Sequence, residues 1–211
     1  MSAAPATGGD LQVEIGPLAG RGDERAAALV LAEAFLDDPV WTAIGPRRRG
    51  HRRIANRASY AGIVIACRRH GARIQVARLD GRIVGCSIAF VPGSWPMPEA
   101  AALWEIGWVL VAGPGPLVRG MRDDRAMRDH HVTHPHMYLW FLGVDPTLHS
   151  RGAGRALLAE LHPEAEALRV PTYLETGTRS NVSFYERQGY EVIGEIAMPS
   201  GPTMWRMERP R

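Results

Sequence analysis

The order of apolar and glycine-rich segments between positions 138 and 176 admits only a few folds. Residues 138–144 form a nearly continuous apolar run, which is typical of a strand covered on both faces. A glycine turn then opens an amphipathic helical pattern at 152–168, and a second strand pattern follows at 172–176. A strand, a helix and a strand of these lengths form a parallel βαβ unit. The chain is therefore predicted to have an α/β fold.

The flanking segments extend this pattern over most of the chain. Two β-rich runs meet at Asp80-Gly81, which is a strong hairpin signal. Asp23 is a candidate N-cap for a helix that ends near Pro39, and a longer apolar helix ends at Gly71. The remaining predicted elements are a strand at 11–15, a short helix at 180–189, and strands at 190–196 and 203–209.

Composition excludes several kinds of function. The 211 residues include 25 basic ones and all are arginine, so Schiff-base catalysis, pyridoxal-phosphate attachment and the P-loop lysine are excluded. A net charge of +3 is too small to indicate a nucleic-acid or membrane partner. The basic run at 47–53 is interpreted as a solvated helix start, with attraction of an anionic ligand as the alternative.

Cysteine use and the first residues bear on compartment and domain organisation. Cys67 and Cys86 stand in apolar surroundings without metal-ligand spacing, so we expect buried thiols, with a disulfide or a reactive thiol as alternatives. The first residues lack a signal-peptide pattern, and no apolar stretch approaches about 18 residues, so we expect a cytoplasmic protein. Because no repeat or linker interrupts the pattern, we expect a flexible tail at 1–10 and a single domain at 11–211.

The glycine turn before the helix at 152–168 has the composition of an anion site. Glycines let backbone amides approach a ligand, and the first turn of a helix carries unpaired amides at the positive end of its dipole. Arg151 and Arg155 add positive charge at the same place. A pyrophosphate fits this description better than a single carboxylate.

Two other interpretations of the glycine turn are a structural turn and a dinucleotide-binding fingerprint. The fingerprint requires a third glycine and an acidic residue about 20 positions later. Leu157 stands at the third glycine position, so the glycine pattern of the fingerprint is incomplete. The dinucleotide interpretation therefore fails.

The segment GVDPTLHSRGAGRALL, residues 143–158, resembles the acetyl-CoA signature of the GNAT superfamily of N-acetyltransferases, Q/R-x-x-G-x-G/A. The flanking segments WFLGVDP, YLET and NVSFYERQGYEV resemble other segments of that family. Asp38-Pro39 and the GPTMW strand make the pattern most similar to that of puromycin N-acetyltransferases and their small-molecule relatives. The signature fits when it starts at His149, where histidine replaces the usual Gln or Arg, and also when it starts at Arg151.

The resemblance implies a GNAT fold: a central, mixed, mostly antiparallel twisted sheet of about seven strands, flanked by helices, with a splayed parallel pair at the cofactor cleft. It implies acetyl-CoA as the cofactor and no metal. The end of the first cleft strand would bind pantetheine through its main chain, the glycine turn would bind the pyrophosphate, and the next helix would contact CoA and its sulfur. The implied cofactor-binding residues are Leu142, Gly143, Val144, His149, Ser150, Arg151, Gly152, Ala153, Gly154, Arg155, Ala156, Asn181 and Tyr185.

Two side chains are candidates for the acid and the base of acetyl transfer. The Tyr185 phenol, with an ordinary pKa of about 10, can donate a proton to the departing sulfur, and its alternative role is a core aromatic beside Phe184. Glu175 ends the second cleft strand and is the candidate base, directly or through a water, while its alternative role is a backbone contact at a strand end. No covalent intermediate is needed, because proximity of two bound substrates supplies most of the acceleration.

Four histidines, His130, His131, His134 and His136, precede the first cleft strand. Pro135 interrupts any helix that would align His130 with His134, and no cysteine lies nearby, so no metal site is predicted. The candidate substrate residues are Phe35, Asp38, His134, His136 and Trp140, and the two histidines also rival Glu175 as the base. Trp95, Trp104, Trp108 and Trp140 are candidates for the wall of an aromatic acceptor pocket, with plain core packing as the alternative.

The expected function is transfer of an acetyl group from acetyl-CoA to a primary amine of a small molecule, an antibiotic or a metabolite, by direct attack in a ternary complex. One alternative is an enzyme that acetylates a peptide or protein N-terminus. Another is a non-catalytic acyl-CoA-binding sensor. Among partners we expect a small-molecule amine and a homodimer.

Overall fold

The structure is a computed structural model that describes residues 12–97, 105–148 and 151–211. The predicted tail at 1–10 lies outside the described residues, as do the candidate residues Trp104, His149 and Ser150.

Seven strands and seven α-helices make up the described chain. The strands are β1 (Glu14–Pro17), β2 (Arg73–Leu79), β3 (Arg82–Phe90), β4 (Met137–Val144), β5 (Thr172–Thr176), β6 (Glu191–Ala197) and β7 (Thr203–Arg209). The helices are α1 (Gly20–Ala34), α2 (Pro39–Ile44), α3 (Arg49–Arg69), α4 (Glu105–Ala112), α5 (Pro114–His130), α6 (Ala153–Ala167) and α7 (Arg179–Glu186), and a 3-10 turn spans Pro146–Leu148.

The strands form one sheet in the order β1-β2-β3-β4-β5-β7-β6. Every neighbouring pair is antiparallel except β4 and β5, which are parallel. β2 and β3 are the predicted hairpin, and Asp80 and Gly81 both have positive φ at its turn, as a two-residue hairpin loop requires. The mixed, mostly antiparallel sheet with one parallel pair confirms the expected fold class.

Helices cover both faces of this sheet. Ile88 and Phe90 of β3 pack in one core cluster with α1 and α3, whereas Ala89, between them, packs in another with α6. Alternate residues of a strand point to opposite faces, so the chain has a core on each side. Cys67 and Cys86 are free thiols buried in the first cluster, as expected, and burial raises the pKa of Cys86 to about 12.

The start of α1 differs from the prediction. The helix begins at Gly20, so Asp23 lies inside its first turn and is not the N-cap. From there its carboxylate accepts a hydrogen bond of 2.8 Å from the backbone N–H of Ala19. An acid at this position still favours the helix, because it satisfies an otherwise unpaired amide at the positive end of the dipole.

The basic run at 47–53 is only partly a solvated helix start. Arg52 is 5% exposed, and its guanidinium donates to the carbonyl oxygens of Leu36 and Pro46 and to the Asp37 carboxylate. This arginine therefore ties the start of α3 to the segment between α1 and α2. Within the described ranges, no helix is long and apolar enough to cross a membrane.

Candidate active site

A cleft opens between β4 and β5 in the middle of the sheet. The two parallel strands pair only at Met137–Thr172 and Tyr138–Tyr173, after which they separate. Beyond Tyr138, the edge of β4 that faces β5 has no strand partner among the described residues. Unpaired N–H and C=O groups along such an edge can hydrogen-bond an extended ligand as a neighbouring strand would.

A bulge in β4 accounts for the separation. Ile88 of β3 lies opposite Phe141, and the next β3 residue, Ala89, lies opposite Leu139, so Trp140 is the extra residue between them. A bulge bends its strand and increases the local twist. The bend carries the second half of β4, including Leu142, Gly143 and Val144, away from β5.

Gly143 allows α1 to pack closely against this part of β4. A Cβ atom at position 143 would lie 2.9 Å from Leu31 Cδ2 and 3.1 Å from Ala34 Cβ, both on α1. A side chain would therefore push α1 away from the strand that borders the cleft. Gly143 is therefore needed for packing, in addition to the main-chain contact with the cofactor that the sequence predicts for it.

The first turn of α6 packs against the end of β4. Gly152 is the N-cap with φ of 89°, a left-handed conformation that favours glycine. A Cβ atom on Gly154 would lie 3.4 Å from Phe184 Cζ and 3.7 Å from Val144 Cγ2, so the turn fits tightly between β4 and α7. The positive end of α6 thus lies beside the cleft, where an anion can bind.

One of the predicted phosphate-binding amides is already used within α6. The N–H of Ala156 donates to the carbonyl oxygen of Gly152 at 2.9 Å. The amides of Ala153 and Gly154 come before this first described intrahelical bond. His149 and Ser150, at the start of the signature, lie outside the described residues.

α7 brings two predicted residues to the cleft. The Thr178 side chain caps the helix by accepting a hydrogen bond of 3.3 Å from the N–H of Asn181. Asn181 and Tyr185 both line the cavity described next, and Tyr185 is 8% exposed. Burial raises the pKa of Tyr185 well above its usual value, so its phenol stays protonated at neutral pH. The neighbouring Phe184 lies against Gly154 of α6.

A cavity of about 240 Å³ reaches from the cleft towards α2 and α5. Its wall is rich in aromatic side chains, namely Phe35, Trp41, Trp95, Trp108, Tyr138, Trp140 and Phe141. Several pack on one another, with ring centroids 4.9 Å apart for Trp95 and Trp140 and 5.4 Å apart for Phe35 and Phe141. Leu142, Asn181 and Tyr185 join this wall to the cofactor side.

Acidic side chains interrupt the aromatic wall. Asp38 caps α2, because its Oδ1 accepts hydrogen bonds from the N–H groups of Val40 and Trp41, and burial raises its pKa. Asp123 is held by Ser200, whereas Asp124 pairs with Arg128 at 2.7 Å. Together with Glu175, these groups make the cavity favourable for a cationic ligand.

Glu175 is connected to the histidine cluster. Its carboxylate side chain is 2% exposed, and Oε1 lies 3.2 Å from Nδ1 of His131. Nε2 of His131 lies 3.1 Å from Nε2 of His136, whose Nδ1 lies 2.8 Å from the backbone oxygen of His134. His131 lines the cavity together with Glu175.

The other predicted histidines lie apart from the cavity. His134 is a surface residue whose Nε2 lies 2.6 Å from Glu208, and neither His134 nor His136 is part of the cavity wall. Both come before β4, which begins at Met137. His131 is the residue that the sequence analysis did not single out, although it belongs to the same cluster. No cluster of metal-ligating side chains occurs in the part of the chain that the structure describes.

The chain is similar to known proteins both in sequence pattern and in fold. The model of the acetyltransferase (GNAT) family matches residues 37–190, which span β4, the α6 turn and α7. A histone acetyltransferase HPA2-related protein from Corynebacterium glutamicum is similar over 94% of this chain and 97% of its own, with 23% identity and a TM-score of 0.66.

Two further structures of the same fold contain coenzyme A or acetyl-CoA. PaiA N-acetyltransferase from Thermoplasma acidophilum, in complex with coenzyme A, has 13% identity and a TM-score of 0.57, over 95% of this chain and 100% of its own. YncA from Salmonella typhimurium, with its cofactor acetyl-CoA, has 14% identity and a TM-score of 0.57, over 94% of each chain. At these identities the likeness shows the fold.

Proposed function

Because this chain belongs to the acetyltransferase (GNAT) family, we propose that it transfers an acetyl group from acetyl-CoA to the primary amine of a small molecule. The observation that carries the proposal is the aromatic cavity that joins the cleft between β4 and β5 at Asn181 and Tyr185. Two substrates, one in the cleft and one in the cavity, would meet at that junction.

The residues on the cofactor side fit acetyl-CoA. The open edge of β4 offers backbone groups to the pantetheine arm, and the glycine turn offers amides and a helix terminus to the pyrophosphate. Structures of this fold that contain coenzyme A or acetyl-CoA support the assignment. When bound, acetyl-CoA supplies an activated acyl carbon whose C–S bond breaks as the new C–N bond forms.

The acceptor side favours a small aromatic or apolar amine. A cavity of about 240 Å³ with aromatic walls encloses a compact ligand better than an extended peptide. The ammonium group of such a ligand would interact with the acidic groups Asp38, Asp124 and Glu175, and with the faces of the aromatic rings. This arrangement is the reason to prefer a small molecule over a peptide N-terminus.

Glu175 and Tyr185 would carry the proton transfers. Glu175 takes one proton from the acceptor ammonium, which frees the lone pair for attack on the acyl carbon. Tyr185 gives its phenolic proton to the departing sulfur. The nitrogen then loses its second proton, which restores the Tyr185 phenol through solvent. Glu175 passes the first proton to solvent, so the reaction yields CoA, the acetylated amine and one net proton.

Calorimetry with acetyl-CoA, followed by thiol release across a panel of amines, tests the proposal. We expect binding, and turnover on aromatic primary amines in preference to short peptides. Turnover on peptides alone would replace the acceptor class with a peptide or protein N-terminus. Binding without turnover on any amine would favour an acyl-CoA sensor, and absence of binding would contradict the assignment.

A pair of variants on α5 tests whether the cavity holds the acceptor. Leu117 lines the cavity, whereas the adjacent Val118 is 47% exposed and lies outside it. Leu117→Trp should lower kcat/KM for the amine by more than about tenfold by filling the cavity, with an unchanged Kd for acetyl-CoA. Val118→Trp adds the same side chain next to it and should change neither value. Equal effects of the two variants would place the acceptor elsewhere.

A further inference from the structure

A hydrogen-bonded chain leads from the cavity wall towards the surface. It runs from Glu175 on β5 through His131 and His136 to the backbone oxygen of His134, with successive distances of 3.2, 3.1 and 2.8 Å. All three distances lie within hydrogen-bond range. Glu175 and His131 line the cavity, whereas His136 is not part of its wall.

The proton count of this chain is fixed by its contacts. Each of the three contacts needs one proton between its two atoms, because carboxylate oxygens, carbonyl oxygens and bare imidazole nitrogens are all acceptors. Two neutral imidazoles supply only two protons. The third proton is held either by Glu175 as a carboxylic acid or by one histidine as an imidazolium.

His136 is the member that stays neutral. The pKa of His136 is lowered overall: burial is the main cause, the charges of His131 and His134 also lower it, and the hydrogen bond to the His134 carbonyl and the charge of Glu175 oppose them. Its Nδ1–H donates to the carbonyl oxygen of His134, which leaves the Nε2 lone pair to accept from His131. With a neutral His136, the third proton lies on the pair formed by Glu175 and His131.

The groups packed around His131 agree with a positive charge there. The rings of Tyr138 on β4 and Tyr173 on β5 lie 4.7 and 4.9 Å from it, between centroids. Burial, and then the charge of Glu175, raise the pKa of Tyr138, so that phenol stays neutral. The other charged groups acting at these two tyrosines are Asp124 of α5 and Arg206 and Glu208 of β7.

We propose that His131 is a positioning residue for Glu175, holding one carboxylate oxygen as an imidazolium whose other N–H is accepted by His136. The role rests on the proposed function of Glu175 as the base. The contact engages Oε1 of Glu175, and a carboxylate has about four lone-pair sites on its two oxygens, so it can also accept a proton from the acceptor ammonium. A buried carboxylate without such a partner would favour its neutral form, which cannot act as a base.

Ring-nitrogen NMR of the histidine-labelled protein tests the imidazolium without reference to turnover. At about pH 7.5, where a free histidine is mostly neutral, both ring nitrogens of His131 should carry protons. In Glu175→Gln one of these protons should be lost. A His131 ring with a single protonated nitrogen in the unmodified protein would overturn the proposal.

Steady-state kinetics tests the positioning role. His131→Ala should lower kcat by more than about tenfold, with little change in KM for acetyl-CoA. His131→Asn, whose amide can place a donor near the position of Nδ1, should recover part of the loss. His130→Gln is the matched control, since His130 lies in the same segment but bonds only the Ala126 carbonyl through its ring. Full turnover in His131→Ala would overturn the role.

The same assays separate this proposal from the proposed function. Full turnover in Glu175→Gln would remove Glu175 as the base and overturn the positioning role with it. If Glu175→Gln loses turnover and His131→Ala does not, the base stands and the role of His131 alone is overturned.

Discussion

At the scale of single residues, neighbouring aromatic side chains on α7 have different surroundings. Tyr185 lines the cavity, whereas Phe184 lies against the first turn of α6. Successive residues of a helix point about 100° apart, so only one of the two can face the junction of cleft and cavity. The hydroxyl is therefore carried by the side chain that reaches this junction.

Tyr185→Phe tests this placement. The variant keeps the ring and its packing but removes the proton that we assign to the leaving sulfur. We expect kcat to fall by more than about tenfold while the Kd for CoA stays nearly unchanged. Kinetics and calorimetry on the same preparation measure the two values.

Tyr190→Phe is the matched control for that variant. Tyr190 is 2% exposed, its ring centroid lies 5.4 Å from that of Tyr185, and its hydroxyl bonds His162 outside the cavity. Its loss should change stability but leave kcat close to that of the unmodified protein. Similar kcat values for Tyr185→Phe and the unmodified protein would remove the acid role.

At the scale of elements, the glycine turn lies where a bent strand meets the N-terminus of a helix. The bulge at Trp140 turns β4 away from β5, and Gly154 lets the start of α6 lie against Val144 at the end of β4. The pantetheine and pyrophosphate positions that we propose rest on these two backbone features.

Gly152→Val tests the helix terminus. The N-cap has φ of 89°, where a β-branched side chain costs about 1–3 kcal/mol, so the turn should shift or lose its order. We expect the Kd for CoA to rise by more than about tenfold, as measured by calorimetry.

Gly201→Ala provides the control for backbone strain alone. Gly201 has φ of 115° in the turn between β6 and β7, and a Cβ there would meet nothing within 4 Å. This variant carries a comparable strain away from the cleft, so it should lose stability but bind CoA normally. Unaltered CoA binding in Gly152→Val would show that the pyrophosphate binds elsewhere.

At the scale of the whole molecule, a half-buried histidine links stability to pH. His162 on α6 lies with Nε2 3.2 Å from the Tyr190 hydroxyl, and burial lowers the pKa of His162 to about 4. In the unfolded chain a histidine takes up its proton at about pH 6.5. Between these values the unfolded state binds the extra proton, so the stabilisation is complete above about pH 6.5 and is lost as pH falls towards 4.

His162→Gln should flatten this dependence, because glutamine can accept the same hydrogen bond without titrating. The two proteins differ in free energy of unfolding, and we expect this difference to change between about pH 7 and pH 4.5. Since the His162 side chain is partly exposed, the expected change is on the order of 1 to 2 kcal/mol. Urea unfolding at the two pH values measures it. His70→Gln, at an exposed position after α3, should keep the pH dependence of the unmodified protein, and an equal slope for all three proteins would contradict the assignment.

The sequence by itself determined the central βαβ unit, the β2–β3 hairpin and the position of the glycine turn. Apolar periodicity specified β4, α6 and β5, and Asp80-Gly81 specified the hairpin, because these signals depend on residues close together in the chain. The segments YLET and NVSFYERQGYEV, which resemble segments of the family, also made Glu175 and Tyr185 candidates. The start of α1 was misplaced because an acid can stabilise a helix from its first turn as well as from the cap.

Only the tertiary structure decided which histidine lies beside Glu175 and which aromatic residues enclose the cavity. His131 and Glu175 are 44 positions apart, and the cavity joins side chains from Phe35, just after α1, to Met204 on β7. Four adjacent histidines have the same local chemistry, so no pattern distinguishes the one that packs between Tyr138 and Tyr173. Contacts of this kind arise from sheet order and from the bend at Trp140, which depend on the packing of the whole chain.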